Sequence, residues 1–492
     1  MPDFRATCAA WGPSFARAIR ELGRLFPFAA ASYLERSELE VRVDSRQQRI
    51  GEPRRTAGVV LRVWDGAEFR EEAVDAGAGP GGLAEAVRRL ADHSAASGAA
   101  GMARRGGLLP GSNRAGRSGW RSFGAAGAEV EFNPDALVVR RTPTGIDPLA
   151  VPLPEKLARC RTLQRQLAAS SSLIANAAAA YSEIVERTFI LTTEGRQVAQ
   201  EILRVRMVGA AYAQKDGVTQ FEFRSKGGTG GLEVAELGPE DAATIGETAV
   251  RLLQAAKVEP GYYDCICSPE VAGTIAHEAF GHGVEADMFL KGRARSQRYL
   301  GRPVGSEMVD LIDDPSYPGA YGSYFFDDEG VEASPTYILR RGVFERPLTD
   351  QNAAWCLGLA PTANGRRQDY ERKVYPRMSN TFFGPGQDRL EDMLASIDHG
   401  ILLVRGHSGM EDPKDWGIQV IVHYGREIRH GQLTDRYFSP IGVTGYVPDL
   451  LASVSMASGH VETDTGFCGK GHKEWVPVST GGPYVKLRAR LG

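Results

Sequence analysis

Cysteine is scarce in this chain: six in 492 residues, at Cys8, Cys160, Cys265, Cys267, Cys356 and Cys468. That is too few and too scattered for a disulfide framework, so a reducing compartment is expected and any special cysteine is a ligand or a nucleophile. Charge of one sign is lacking as well. With 58 Lys and Arg against 61 Asp and Glu, the net charge is −3, which gives no electrostatic footprint for nucleic acid or an anionic membrane, and neither is expected as a partner. Long apolar runs are missing: the stretch over 25–34 is about half the roughly 20 residues of a membrane span, and Pro27 interrupts it. The opening MPDFRATC has no charged-then-apolar leader layout, so the expected location is the cytoplasm. No repeat of 20–50 residues suggests a solenoid or propeller. What remains is an ordinary globular composition, 42% apolar and 24% charged, long enough for roughly two to four domains.

Periodicity then predicts the elements. Phe15, Ile19 and Leu22 fall at helical spacing within 14–24, whereas Leu39, Val41 and Val43 alternate with polar residues as in a strand. Val59, Leu61 and Val63 repeat that alternation before Asp65-Gly66, a hairpin signal. From about 94 to 127 the chain is rich in Gly, Ala, Ser and Arg without an apolar period, which reads as a flexible loop. Leu157, Cys160, Leu163 and Leu167 predict an amphipathic helix, and the alanine-rich stretch extends it to about Ser182. Strands are expected at 184–192, 202–212 and 218–224, a helix at 239–256, and hairpins turning near Gly342 and Gly425. The fold class expected is α+β. An N-terminal helix-plus-antiparallel-sheet domain spans 1–245, and a predominantly antiparallel β domain spans 246–492.

The most unusual segment is TIAHEAFGHGVEAD, which gathers His277, Glu278, His282, Glu285 and Asp287. Two imidazoles flanking a carboxylate suggest zinc, with the carboxylate taking a proton from metal-bound water. The spacing, however, is H-E-x-x-x-H. On a straight helix five positions put the histidines roughly 140° apart, so they meet only if a π-type bulge or a break at the helix end intervenes, and Gly281 makes either easier. Without such a break they are two histidines on unrelated faces. Cys265 and Cys267 share one face of a strand and read as core. Cys468 reads as an accessible thiol in a glycine-rich turn, with Lys470 and His472 nearby favouring its thiolate. The Gly469-Lys470 pair fails as a P-loop, because the earlier glycine would fall at Asp464 and Gly471 replaces the Ser or Thr.

HEAFGHGVEAD resembles the H-E-x-x-x-H signature of the TldD/PmbA family of peptidases. The resemblance continues through FFDDEG (325–330), ANGRRQDY (363–370), PRMSNTFF (376–383) and GFCGKG…VPVSTGGPYVKLR, and so covers most of 258–492. It implies zinc ligands at His277, His282 and Cys468, with Glu278 as the catalytic carboxylate. Those four residues align the chain with the catalytic TldD type and not with the metal-free PmbA (TldE) type. Family members pair with themselves or with a metal-free partner and cut extended peptides held along strand edges. Two departures stand out: His472 replaces the usual Gln, and 406–432 differs from the expected glycine-rich stretch. Arg377 and Asn380 are candidates, with His472, for binding substrate. The function implied is zinc-dependent hydrolysis of extended or unfolded peptides. The alternatives are a zinc-stabilised subunit that binds peptide without cutting it, and an enzyme maturing a natural-product peptide precursor.

Overall fold

The computed structural model describes residues 4–97, 130–470 and 474–492, and the expected loop at about 94–127 lies outside them from residue 98 onward. Up to Ser97 that stretch is instead the end of a helix, Gly79–Ser97. Among the described residues, the first half is one large sheet with helices on it. Its strands are β1 (Phe28–Asp44), β2 (Gln48–Ile50), β3 (Arg54–Trp64), β4 (Phe69–Asp75), β5 (Val138–Arg141), β6 (Ile174–Thr192), β7 (Gln197–Lys215) and β8 (Val218–Thr229). They lie in the order β4-β3-β1-β6-β7-β5, with β2 on β1 and β8 on β7. The β3–β4 hairpin turns at Asp65-Gly66 as expected; Asp65 accepts N–H bonds from Ala67 and Glu68, and Gly66 has φ 98°.

Helix α1 (Phe4–Leu22) buries Phe15, Ile19 and Leu22 against this sheet, and α2 (Gly79–Ser97) adds Leu83, Val87 and Leu90. Helices α3 (Leu153–Ala169) and α4 (Pro239–Leu252) cover its other half. The alanine-rich stretch is not the continuation of α3 but the start of β6, paired with β1 from Ala178↔Asp44 onward and with β7 through Ala177↔Ala211. Alanine is the strongest helix former, but intrinsic propensity is a small term that tertiary pairing overrides. Here small residues are required, because α3 and α4 press on the sheet: a Cβ at Gly209 would meet Leu167, Leu163 and Ile245 at 3.3–3.5 Å.

Among the described residues the second half holds two large sheets with a helix between them, and a small two-stranded one that pairs Gly365–Arg366 with Tyr375–Pro376. Strand β9 (Gly261–Cys267) pairs with His399–Glu411 and with Val485–Leu491; the latter pairs with Ile441–Tyr446, which pairs with Gly417–Arg429, which returns to His399–Glu411. Five strands therefore close into a ring, which removes their open edges. Gly425 lies within the Gly417–Arg429 strand, and the turn follows it at His430 and Gly431, both with positive φ. Glycine stands at 425 for closeness, since a Cβ there would meet Ile401 and Ile441 at 2.5–2.6 Å. The second sheet runs Val343–Phe344, Thr336–Arg340, Leu311–Asp313, Asn380–Phe383, Glu474–Gly482, Glu462–Lys470. Both sheets are mostly antiparallel, as an α+β fold requires.

Candidate metal centre

Helix α5 (Pro269–Phe280) leaves β9 at Ser268 and is buried on nearly every side, with Val271, Ala272, Gly273, Ile275, Ala276, His277, Ala279 and Phe280 all inside. A helix apolar all round belongs between layers, and α5 packs on the ring at His399–Glu411 and on the second sheet at Glu474–Gly482. The contact with that sheet is close: a Cβ on Gly273 would fall 2.2 Å from the Gly481 nitrogen. After Phe280 the backbone tightens into a 3₁₀ turn, His282–Val284. This is the break at the helix end that the five-position histidine spacing needs. Gly281 permits it, since a Cβ there would sit 2.1 Å from the Met378 sulfur.

The turn brings the His277 and His282 rings to 5.0 Å between centroids, nearly perpendicular. Cys468 joins them from the Glu462–Lys470 strand, where it pairs with Val476. It thus lies in a strand and not in the glycine-rich turn expected of it. Its Sγ is 3.3 Å from His282 Nε2, and the donor atoms of the three side chains lie within 4.8 Å of one another. Tetrahedral zinc bonds of about 2.0–2.3 Å imply donors about 3.3–3.6 Å apart; the Cys468–His282 pair has that spacing, and the set as a whole extends to no more than 4.8 Å. Burial opposes charge on both sulfur and imidazole, yet each stabilises the other. His282 and His277 hold the Cys468 thiol well below the ordinary thiol range, and Cys468 and Glu285 hold His282 well above the ordinary imidazole range. The His277 Nδ1 is buried without a hydrogen-bond partner among the described residues, the kind of orphan that marks an unfinished polar site.

Carboxylates surround this cluster at two levels. Glu278, half-buried, has no hydrogen-bond partner among the described residues and lies against Gly409, where a Cβ would meet its Cγ at 2.4 Å. Glu411, at the end of the same strand, brings both carboxylate oxygens into burial with no partner among the described residues; a Cβ on Gly283 would fall 2.5 Å from one of them. Burial, reinforced by Glu278, pushes its carboxyl up to about 8, although His282 works the other way. Beneath the histidines, Glu285 Oε2 lies 3.3 Å from His282 Nδ1 and accepts from Lys470 Nζ at 3.0 Å. Burial would raise the Glu285 carboxyl, but Lys470, His282 and Arg377 hold it well below the carboxylate range. Lys470 also donates to Asp287 at 2.6 Å.

Arg377 and Asn380 are fully buried. Arg377 donates to the Cys468 carbonyl at 2.6 Å; Asn380 donates to Asp314 O and Ser323 Oγ and accepts from Gly322 N. Their side chains are thus bound to protein groups. His472 lies outside the described residues. Cys265 and Cys267 are in the core, apart from the cluster; burial drives the Cys265 thiol well above its usual range and Cys267 up to about 12. Sequence reasoning gives Lys470 only an electrostatic influence and Glu411 no role. Lys470's spacing, two residues after Cys468 and so on the same strand face, is the signal that could find it.

The family profile described as PmbA/TldA metallopeptidase central domain matches residues 146–257, and the C-terminal domain of the same family matches 260–490. The chain is 33% identical over 325 residues to a metalloprotease of Methanothermobacter thermautotrophicus, covering 65% of this chain and 70% of that one. It is 30% identical over 247 residues to a zinc metalloprotease TldD homolog of Saccharolobus solfataricus, 50% of this chain and 55% of the other. In fold it is similar to the crystal structure of TldE from Thermococcus kodakarensis, with TM-score 0.68, 18% identity, and coverage of 97% of this chain and 99% of that one.

Proposed function

The chain belongs to the PmbA/TldD family of metallopeptidases, and from that premise we propose that it is a zinc-dependent peptidase of the TldD type acting on extended or unfolded peptides. The observation that carries the reading is the donor set: one thiol and two imidazoles converge, and among the described residues no fourth donor joins them. A structural zinc site is closed by four protein donors, whereas a hydrolytic one keeps a position open. His277, His282 and Cys468 would hold the ion, and the soft sulfur with two nitrogens suits zinc. A bound zinc ion supplies Lewis acidity, which acidifies a water and polarises the peptide carbonyl.

The remaining work falls to this chain's own groups. Glu278, next to a ligand and paired with no cation among the described residues, takes a proton from the attacking water and returns it to the leaving amine. Glu285 orients the His282 ring through Nδ1. Extended substrate is supported by the place of Glu462–Lys470 at the end of its sheet's strand order, an edge that a peptide strand can join. The working unit is a dimer, with a second copy or a metal-free PmbA/TldE-type homologue. Six free cysteines suit the cytoplasm, and no helix among the described residues is long and apolar enough to cross a membrane.

Glu278→Gln tests the reading. The variant keeps the side-chain volume and lies outside the donor cluster, so zinc content should stay at the wild-type level while peptide cleavage falls by about 10²–10⁴-fold. Cleavage followed by mass spectrometry and zinc assayed on the same preparation decide it. Undiminished cleavage by a zinc-replete variant removes Glu278 from the chemistry.

A further inference from the structure

The three donors come from two places in the chain, 186 residues apart: the end of α5, and a strand of another sheet. Something must keep the sulfur facing the imidazoles. Arg377 is placed to do so. Its side chain is 1% exposed, its Nη2 donates to the backbone carbonyl of Cys468 at 2.6 Å, and its Nε faces Glu285 Oε1 at 3.7 Å. Glu285 in turn holds His282 Nδ1. One guanidinium therefore touches the residue that carries the sulfur and the carboxylate that orients the imidazole.

The backbone that carries the guanidinium is itself fixed. The Arg377 N–H donates to Asn364 O, the Asn364 amide donates back to Arg377 O, and the neighbouring Pro376 carbonyl accepts from Lys470 Nζ at 3.2 Å. Burying a guanidinium is costly unless a nearby anion compensates it, and Glu285 is its ion-pair partner. A filler in this place would be apolar. A planar fork that spans a carbonyl and a carboxylate is what arginine offers and lysine does not.

We propose that Arg377 is a positioning residue of the metal site, coupling the orientation of His282 to the position of Cys468 through Glu285. The inference rests on the reading of His277, His282 and Cys468 as the zinc ligands. Groups that orient metal-bound histidines typically change metal affinity by about 10–100-fold when altered. Coupling further requires that Arg377 and Glu285 act through one another.

The test is the zinc dissociation constant of the full chain, measured by competition with a chromophoric chelator, for wild type, Arg377→Lys, Glu285→Gln and the double variant. Cobalt substitution reports on the sulfur directly through its thiolate-to-metal absorption. Each single variant should weaken zinc binding about 10–100-fold and alter the thiolate band, and the double variant should bind no more weakly than the weaker single. Losses that multiply in the double variant overturn the coupling, as does wild-type affinity and an unchanged cobalt spectrum for Arg377→Lys. Should Arg377→Lys fail to fold, Glu285→Gln carries the test: wild-type affinity with an unchanged cobalt spectrum overturns the proposal, and weakened binding with an altered thiolate band supports it. If the wild type binds no zinc, or binds it equally well after Cys468→Ala, the ligand reading itself fails, an outcome distinct from the others.

Discussion

Glu411 has a carboxyl pushed up to about 8 from a value near 4.5, with both oxygens buried and without a partner among the described residues. The sign of its effect on stability follows. Below about pH 4.5 the carboxyl is protonated folded or unfolded and contributes nothing. Between about 4.5 and 8 the unfolded chain gives up the proton while the folded chain keeps it, so stability falls as pH rises and levels off above about 8. Glu411→Gln should therefore leave the zinc-free protein unchanged near pH 4 and stabilise it by about 1–3 kcal/mol near pH 8. Urea unfolding of both proteins across that range reads the difference, and a gap that shrinks with pH contradicts the assignment. This residue is not legible in the sequence, because its significance is a matter of what it fails to touch. The histidine pair is legible only as a condition, a helix break, which the turn after Phe280 meets. The surroundings of Arg377 are beyond sequence reasoning altogether: its partners, Cys468 and Glu285, lie 91 and 92 positions away.

Helix α5 is the element on which the site depends, and its seat is the near-contact of Gly273 with Gly481. Gly273→Ala adds a methyl where 2.2 Å separates it from backbone, so the helix must move off the Glu474–Gly482 strand that pairs with the Cys468 strand. Overpacking of this kind costs about 1–3 kcal/mol. Zinc affinity should fall although no ligand has changed, and calorimetric titration with zinc would show it; unaltered affinity would mean that the helix position does not govern the cluster. At this scale the sequence is a good guide where one face is buried and a poor one where both are. The alternations of β1 and β3 and the period of α1 are visible. Ala-rich β6 and Gly425 mislead, because a small residue wanted for packing in a strand looks, out of context, like a helix former or a turn.

Across the whole molecule, FFDDEG and ANGRRQDY turn out to fasten the two halves together. Gln200 of β7 donates to Phe326 O and accepts from the Phe325 and Phe326 nitrogens. Glu329 pairs with Arg62 of β3, and Arg367 reaches Glu71 of β4 at 3.2 Å. Arg62→Met strands Glu329 in the interior and should cost about 3–5 kcal/mol, seen as a lowered calorimetric transition, while zinc stoichiometry in the folded protein is retained. A transition at the wild-type temperature would show the fastening to be unimportant. The motifs are conspicuous in the sequence, but their partners lie more than 120 residues away, so their task is not.

The ring of five strands has its own consequence for the life of the chain. Strand β9 is the first of the five to be made, yet one of its neighbours is Val485–Leu491, and the sulfur at Cys468 arrives only shortly before. Until the ribosome has delivered that stretch, the polypeptide carries both histidines and Glu278 but neither the thiol nor the strand that shuts the ring. Contacts so distant in sequence form late and slowly. On the proposed reading, the donor set is therefore complete only once Cys468 has been added, after both histidines and Glu278.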